Sequence, residues 1–106
     1  MRLGVLEQRE FLLQILNEVS NGFRVEDFEG TLSFTRDDAR AVGSKLRTGG
    51  DIASLSSREV SALRRATILT MKELEDGVSE FRTRTGFELR DAQTMVVLLG
   101  KIEAGV

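Results

Sequence analysis

The sequence predicts an all-α fold, a small bundle of about four helices in a single domain spanning residues 1–106. Three observations lead to this prediction. Apolar residues recur three and four positions apart in four segments, which is the spacing of one helix face. Serine, threonine and glycine stand where such helices would begin and end. A length of 106 residues, 41% hydrophobic and 30% charged, is typical of one small globular domain.

The first helix is predicted over residues 5–20. Asn21-Gly22 would end it, because glycine adopts the left-handed cap conformation without strain. Leu6 and Leu13, one heptad apart, form a second apolar stripe on its flank. Its main apolar face consists of Phe11, Leu12, Ile15, Leu16 and Val19.

Residues 22–34 favour two structures about equally. Phe23 and Val25 alternate with polar residues, as do Leu32 and Phe34, and this alternation would suit a short β-hairpin. An extended connector anchored by its phenylalanines is the alternative, because an isolated hairpin is marginally stable without a further strand.

A short helix is predicted over residues 36–47. Thr35 stands as its N-cap with Asp38 at the third helical position, an aspartate variant of the capping box. Ala39, Val42 and Leu46 supply the inward face, and the Thr-Gly-Gly sequence at 48–50 ends the helix.

A long helix begins at Ser56 or Ser57, where Ser56 and Glu59 have the spacing of a capping box. Thr85-Gly86 marks its end, and Gly77 weakens it by about 1 kcal/mol relative to alanine, so a kink or break at Gly77 is a second prediction. Its apolar residues fall within an arc of about 80° on a helical wheel. They are Val60, Leu63, Thr67, Met71, Leu74, Val78 and Phe81.

The last helix is predicted over residues 87–104, with Thr85 as its candidate cap and Glu88 three residues on. Val97 and Leu98 lie off its core face, so residues 95–99 are apolar almost all round. The core face itself consists of Leu89, Ala92, Met95, Val96, Leu99 and Ile102.

Five apolar residues exceed the single stripe that each helix needs for a bundle core. Either irregular packing and residues 22–34 cover them, or they form a partner-binding surface. The second interpretation is favoured, with a symmetric homodimer as its commonest form, because large apolar patches are uncommon on monomers. These residues are Leu6, Leu13, Leu69, Val97 and Leu98.

The net charge is -2, but the charge is unevenly distributed along the sequence, because a basic centre at 31–72 separates two acidic ends. Arg36, Arg40 and Arg47 fall within about 40° of one another on their helix, with Gly43 on the same stripe. Arginine forks suit carboxylate and phosphate groups, and glycine permits close approach. The favoured interpretation pairs this basic centre with acids of the same chain; an acidic protein and a nucleic acid are the alternatives. The candidate acids are Glu73, Glu75, Asp76 and Glu80.

The composition excludes several classes of function. Without cysteine or histidine there is no disulfide framework, thiol nucleophile, Ser-His-Asp triad or His-ligated metal. No glycine-rich phosphate loop or calcium loop occurs, and no cofactor is expected. The longest strongly apolar run is 95–99, and no secretory segment is recognisable, so a cytoplasmic protein without a membrane partner is expected.

The sequence LSSREVSALRRA at 55–66 resembles the opening of LuxR-type helix-turn-helix domains, which often begin Leu-Ser/Thr-x-Arg-Glu. That resemblance implies DNA binding. It stops after these residues, because ILTMKELEDGVSEF is acidic and keeps its apolar phase where the family has a second helix, a turn and a basic recognition helix.

The leading expectation is a non-enzymatic protein–protein interaction module, such as a bacterial or phage immunity protein, antitoxin, inhibitor or chaperone-like protein. One alternative is a nucleic-acid-binding transcriptional regulator that uses Arg36, Arg40 and Arg47. A second alternative is a small all-helical enzyme that binds an anionic metabolite through arginines, as chorismate mutases do, although that family's ordered set of Arg, Lys and Glu residues does not map onto this chain.

Overall fold

The computed structural model describes residues 4–22, 25–50, 52–74 and 78–104, and all regular structure in those ranges is helical. This confirms the all-α prediction. A π-helical turn at Glu18–Gly22 continues the first helix, and a 3-10 turn at Ile52–Ser54 precedes the fourth. The α-helices are α1 (Val5–Asn17), α2 (Phe28–Leu32), α3 (Arg36–Arg47), α4 (Ser57–Glu73), α5 (Val78–Thr85) and α6 (Leu89–Glu103). No helix in the described ranges is long and apolar enough to cross a membrane.

The segment predicted as a hairpin or extended connector contains the short helix α2 instead. The Asp27 carboxylate caps α2 by accepting a hydrogen bond from the Gly30 N–H at 3.3 Å. Phe28 and Leu32 stand one helical turn apart, so a single turn buries both side chains. Local bonds between side chain and backbone therefore prevail over the alternating pattern. Phe23, one of the alternating apolar residues of the predicted hairpin, lies outside the described residues.

Two predicted capping boxes are present and fix the starts of α3 and α4. The Thr35 hydroxyl accepts from the Asp38 N–H at 3.0 Å, and the Asp38 carboxylate accepts from the Thr35 N–H at 2.9 Å. The Ser56 hydroxyl accepts from the Glu59 N–H at 3.1 Å, and the Glu59 carboxylate accepts from the Ser56 N–H at 2.9 Å. Each box provides acceptors for two backbone N–H groups that a helix start would otherwise leave unpaired.

The predicted cap of the last helix was wrong. The helix begins at Leu89, and the Asp91 carboxylate accepts a hydrogen bond from the Glu88 N–H at 3.1 Å. Thr85 closes the preceding turn instead, because its hydroxyl donates to the Phe81 carbonyl at 2.7 Å and accepts from the Phe87 N–H at 3.1 Å.

The predicted long helix is divided into α4 and α5. The helix α4 ends at Glu73 and α5 begins at Val78, while Gly77 and its neighbours at 75–76 lie outside the described residues. The apolar stripe faces the core in both helices, because five of its seven side chains are buried and Met71 is half-buried. The side chain of Val78, the seventh, lies outside the description. Its buried members are Val60, Leu63, Thr67, Leu74 and Phe81.

Two antiparallel helix pairs build the bundle. In the first pair, Arg36 of α3 donates to the Ser20 carbonyl at one end, and Arg9 of α1 donates to the Gly50 carbonyl at the other. In the second pair, Arg64 of α4 lies across Gly100 of α6 and pairs with Glu103. The two pairs share one apolar core, in which α1 packs against α4.

Candidate functional site

An open cleft lies between the end of α1 and the exposed side of α3, and we call it the arginine cleft. Its volume is about 190 Å³. The structure brings all three arginines of the predicted stripe to this cleft, together with the glycine between them. Its lining consists of Leu16, Asn17, Ser20, Asn21, Arg36, Ala39, Arg40, Gly43 and Arg47.

Arg36 is held in one orientation at the edge of the arginine cleft. Its Nη1 donates to the Ser20 carbonyl at 3.1 Å, and its guanidinium carbon lies 4.5 Å from the centroid of the Phe28 ring. A guanidinium over an aromatic face is attracted by the negative face of the ring. Phe28 itself stacks on Phe34 with the ring centroids 6.0 Å apart. The position of Arg36 is therefore set by the core beneath it.

Arg40 and Arg47 are less engaged than Arg36. Arg40 forms one ion pair, with Asp37 at 2.8 Å, and both side chains are at least 80% exposed. A pair this exposed contributes about 0–1 kcal/mol and exchanges readily for another anion. Within the part of the chain that the structure describes, the Arg47 side chain has no hydrogen-bond or ion-pair partner. Its Nη1 lies 3.3 Å from the position that a Cβ on Gly43 would occupy, so the guanidinium covers this glycine.

The wall of the arginine cleft opposite α3 comes from the end of α1 and the π-helical turn. Asn17, Ser20 and Asn21 line this wall, and the Asn21 amide donates to the Asn17 side-chain oxygen at 3.3 Å. A buried carboxylate anchors the turn, because Glu18 is 4% exposed and pairs with Arg84 at 2.7 Å. This pair was not predicted from the sequence.

Most other basic residues of the central segment pair with acids of the same chain. Lys45 pairs with Glu59 at 3.0 Å, and Arg58 with Asp38 at 3.8 Å. Of the four acids predicted as partners, Glu73 is the one whose side chain the structure describes, and it forms no ion pair with a described residue. Glu75 and Asp76, like the side chain of Glu80, lie outside the description. Intramolecular pairing therefore occurs with different acids, and it leaves Arg47, Arg65 and Lys72 without a partner among the described residues.

The residues that resemble a LuxR-type opening form the start of α4 and its cap. Two of their basic side chains are engaged within the chain, since Arg58 donates to the Ser33 carbonyl at 3.2 Å and Arg64 pairs with Glu103 at 3.8 Å. The helix then continues without interruption to Glu73. The resemblance thus covers one cap and part of one helix.

The five predicted surplus apolar residues do not form one surface. Leu13, Leu69 and Leu98 are half-buried and pack against the core, which matches the interpretation that irregular packing covers them. Leu6 and Val97 are 64% and 58% exposed. Ile68, which the sequence analysis did not single out, is 42% exposed.

An apolar groove runs between α4 and α6, and we call it the α4–α6 groove. Its volume is about 410 Å³. The sequence pattern assigned Met71, Leu89 and Val96 to the core, but all three are half-buried and face this groove. Its lining consists of Ile68, Met71, Lys72, Leu89, Gln93 and Val96.

Exposed basic side chains lie on both helices that form the α4–α6 groove. Lys72 lines it, and Arg65 shares the helical stripe of Ile68 and Lys72. On α6, Arg90 and Lys101 share the stripe of Val97. We call Arg65, Lys72, Arg90 and Lys101 the basic rim. Among the described residues, none of the four side chains has a hydrogen-bond or ion-pair partner, and no acid lines the groove.

Among the residues that the structure describes, two carboxyl groups have shifted pKa values, and both belong to helix caps. Hydrogen bonds from Thr35, first from its backbone N–H, lower the pKa of Asp38 below its usual value. Burial raises the pKa of Glu59, but hydrogen bonds from the Ser56 N–H and from Lys45 outweigh it and lower the pKa overall. Neither group lines the arginine cleft or the α4–α6 groove.

The described residues contain no cluster of three acidic side chains able to hold a metal ion. Comparison of the chain with known protein families, with curated protein sequences and with solved structures finds no match. The function therefore has to be inferred from the two surfaces themselves.

Proposed function

We propose that the protein is a non-enzymatic protein-binding module, which binds an acidic amphipathic helix of a partner protein in the α4–α6 groove. One observation carries the proposal. An apolar groove lined by the partly exposed Ile68 lies between two helices that carry the basic rim, whose four side chains lack partners among the described residues.

The shape of the groove suits a helix. Two antiparallel helices form a channel along their line of contact, and a third helix packs into such a channel through side chains spaced three and four apart. The Arg64–Glu103 pair lies beyond one end of the lining residues. From Leu89 to Val96 the lining extends about 10 Å along α6, so about two turns of a partner helix would lie in the groove.

The charge of the basic rim suits an acidic helix. Carboxylates on the solvent side of the partner helix would lie near Arg65, Lys72, Arg90 and Lys101, which have no competing acid in the groove. Complementary charges of this kind raise the association rate and exclude wrong partners, while the apolar contacts supply most of the affinity. The groove therefore provides both attraction and selectivity.

A second copy of the chain fits this surface less well. A two-fold dimer places the same patch of each copy against the other, so the two basic rims would face one another. Like charges brought together at an interface are unfavourable. The homodimer predicted from the sequence remains a prediction, and the α4–α6 groove favours a different, acidic chain.

A photo-crosslinking amino acid at Gln93 tests the proposal in the native host. Gln93 lines the groove and is exposed, so a bound helix would lie within reach of it. We expect a covalent link to one other protein, within an acidic segment that has apolar residues at helical spacing. The same reagent at Ala53, an exposed residue of the 3-10 turn, is the control and should not give this link.

Binding of that partner segment, made as a synthetic peptide, then tests the residues. Ile68→Asp should weaken binding by roughly tenfold or more, because Ile68 lines the groove, and a carboxylate there would replace an apolar contact and repel the acidic helix. Leu6→Asp is the matched control, since Leu6 is also apolar and exposed but does not line the groove. Equal losses in the two variants, or crosslinks only between copies of this chain, would contradict the proposal.

A further inference from the structure

We infer that the arginine cleft is a binding site for the phosphoryl group of a small ligand, either inorganic phosphate or a phosphate monoester. The site shares no lining residue with the α4–α6 groove. The inference is therefore independent of the proposed function, because different variants test each surface.

Arg40 and Arg47 both line the cleft from one stripe of α3. By helix rise, the two residues stand about 10 Å apart along the axis. Arg47, however, folds back toward the N-terminus of the helix, so its Nη1 lies 3.3 Å from the Cβ position of Gly43. Its head group therefore reaches the level of Gly43, which is about 4.5 Å along the axis from Arg40. The Arg40 guanidinium is paired with Asp37 at 2.8 Å, on the other side of Arg40 from Gly43. This pair is exposed and contributes about 0–1 kcal/mol, so Arg40 can exchange Asp37 for an anion over Gly43 that also contacts Arg47.

Gly43 leaves the room that this arrangement needs. A glycine inside a helix is unfavourable relative to alanine, so its presence in α3 calls for a local reason. The covering Arg47 guanidinium and the open cleft beside it supply that reason, because a methyl group here would crowd both.

The remaining walls add donors and positive charge. Arg36 is fixed by the Ser20 carbonyl and by the ring of Phe28, so its charge faces the cleft without rearrangement. Asn21 uses its amide to bond the side-chain oxygen of Asn17, which leaves the amide of Asn17 as a donor on the opposite wall. An anion in the cleft would thus meet donors from both sides.

Charge and size favour a phosphoryl group over other anions. Three arginines line the cleft and Asp37, paired with Arg40, is an acid beside it, so the local charge matches a phosphoryl group carrying about -1.5 to -2 at neutral pH. A volume of about 190 Å³ is below the range of roughly 300–1,000 Å³ typical of pockets for drug-sized ligands. A small cleft also suits a single phosphoryl group better than a nucleic-acid strand, which needs an extended track of contacts.

The test titrates the full-length protein with inorganic phosphate and with methyl phosphate, followed by calorimetry and by the backbone amide signals in NMR. We expect saturable binding, with the largest shifts at Gly43, Asn17 and Asn21, which line the cleft. Tighter binding of methyl phosphate would identify a monoester as the ligand class, and equal binding would identify inorganic phosphate.

Substitutions separate the arginine cleft from general attraction to basic surface. Arg40→Gln and Arg47→Gln should each raise the dissociation constant by roughly tenfold, because each removes a charge-assisted fork. Both side chains are exposed, so the variants should fold. Arg58→Gln and Arg82→Gln are matched controls, since they remove exposed arginines outside both the cleft and the groove, and they should change the constant less than twofold.

Three results would overturn the inference. The first is unchanged phosphate binding in Arg40→Gln and Arg47→Gln, or an equal loss in the two controls. The second is acetate binding as tight as phosphate binding. The third is an oligonucleotide that binds through the same arginines and displaces phosphate at a much lower concentration, which would assign the cleft to a nucleic acid.

Discussion

The arginine cleft and the α4–α6 groove both lie between antiparallel helices, yet their polar and apolar groups are arranged in opposite ways. The lining of the cleft is mainly polar, since three of its nine residues are arginines and two, Leu16 and Ala39, have apolar side chains. The lining of the groove is mainly apolar, with Lys72 as the charged residue among those that form it. Both surfaces carry positive charge, but a bound group would meet mainly polar side chains in the cleft and mainly apolar side chains in the groove.

This difference teaches which group selects the ligand. A central group is shielded from water when a ligand binds, so it determines what class of ligand is accepted, whereas peripheral charges mainly affect the rate of encounter. The cleft therefore selects for an anion with oxygen acceptors. The groove selects for an apolar surface and favours one with negative charge beside it.

The largest predicted effect concerns the anchor beneath the cleft. Arg84→Met leaves the Glu18 carboxylate buried without its partner, and we expect the free energy of unfolding to fall by about 3 kcal/mol. Urea denaturation measures this loss. The π-helical turn would loosen, so phosphate binding should weaken at a temperature where the variant is folded, while binding at the α4–α6 groove should not change.

The double variant Arg84→Met/Glu18→Leu controls for the loss of side-chain packing. It removes both charges, and it should recover most of the stability because no unpaired carboxylate is left in the interior. A single variant as stable as the original protein would show that the ion pair does not hold the wall of the cleft.

An intermediate effect is predicted at the cap of the arginine-bearing helix. Thr35→Ala removes the hydroxyl that accepts from the Asp38 N–H, and we expect a loss of about 1 kcal/mol in unfolding free energy. Ser56→Ala makes the corresponding change at the start of α4, outside the arginine cleft. A similar loss of stability in both, with anion binding weakened in Thr35→Ala alone, would show that the cap of α3 supports the cleft.

The same caps predict how stability depends on pH. Asp38 and Glu59 have lowered pKa values in the folded protein, so their contribution is complete above the unfolded values of about 4 and is lost as the pH falls through the folded values. Histidine is absent, so no imidazole titrates between pH 5 and 8. Denaturation curves should be nearly constant from pH 7 to about 5 and decline below about 4. Asp38→Asn and Glu59→Gln should make that decline shallower.

The smallest predicted effect has opposite signs for stability and binding. Gly43→Ala should raise the unfolding free energy by about 0.5–1 kcal/mol, because alanine favours the helix and the exposed Arg47 head can move aside. Calorimetry should show weaker phosphate binding, since the methyl group occupies space above the backbone. Unchanged binding would contradict the role given to this glycine.

Local pattern predicted the elements whose signals lie within one helix. The caps at Thr35 and Ser56 were recognisable because a capping box is complete within four residues. The pattern failed at α2, where Phe28 and Leu32 provide one turn of helical spacing, too short to outweigh the alternation around it. It also failed at the start of α6, because Thr85 with Glu88 and Glu88 with Asp91 both have the spacing of a cap.

The two surfaces also differ in how far a local sequence pattern predicts them. The arginine cleft was predictable in part because its three arginines share one stripe of α3 and need no information about other helices. The α4–α6 groove depends on how two helices approach each other, so the sequence placed Val96 and Leu89 in the core and passed over Ile68. The pair of Glu18 with Arg84 was not predictable for the same reason, since it joins residues far apart in the chain.

The ties at both ends of the α1–α3 pair have a kinetic consequence. Arg36 bonded to the Ser20 carbonyl and Arg9 bonded to the carbonyls of Gly49 and Gly50 hold the two walls together before any ligand arrives. A cleft that exists beforehand needs no opening step, so association should be a single event limited by diffusion. Stopped-flow traces should then be single exponentials with rates that increase linearly with ligand concentration. Affinity differences among ligands would arise in how long each one stays bound.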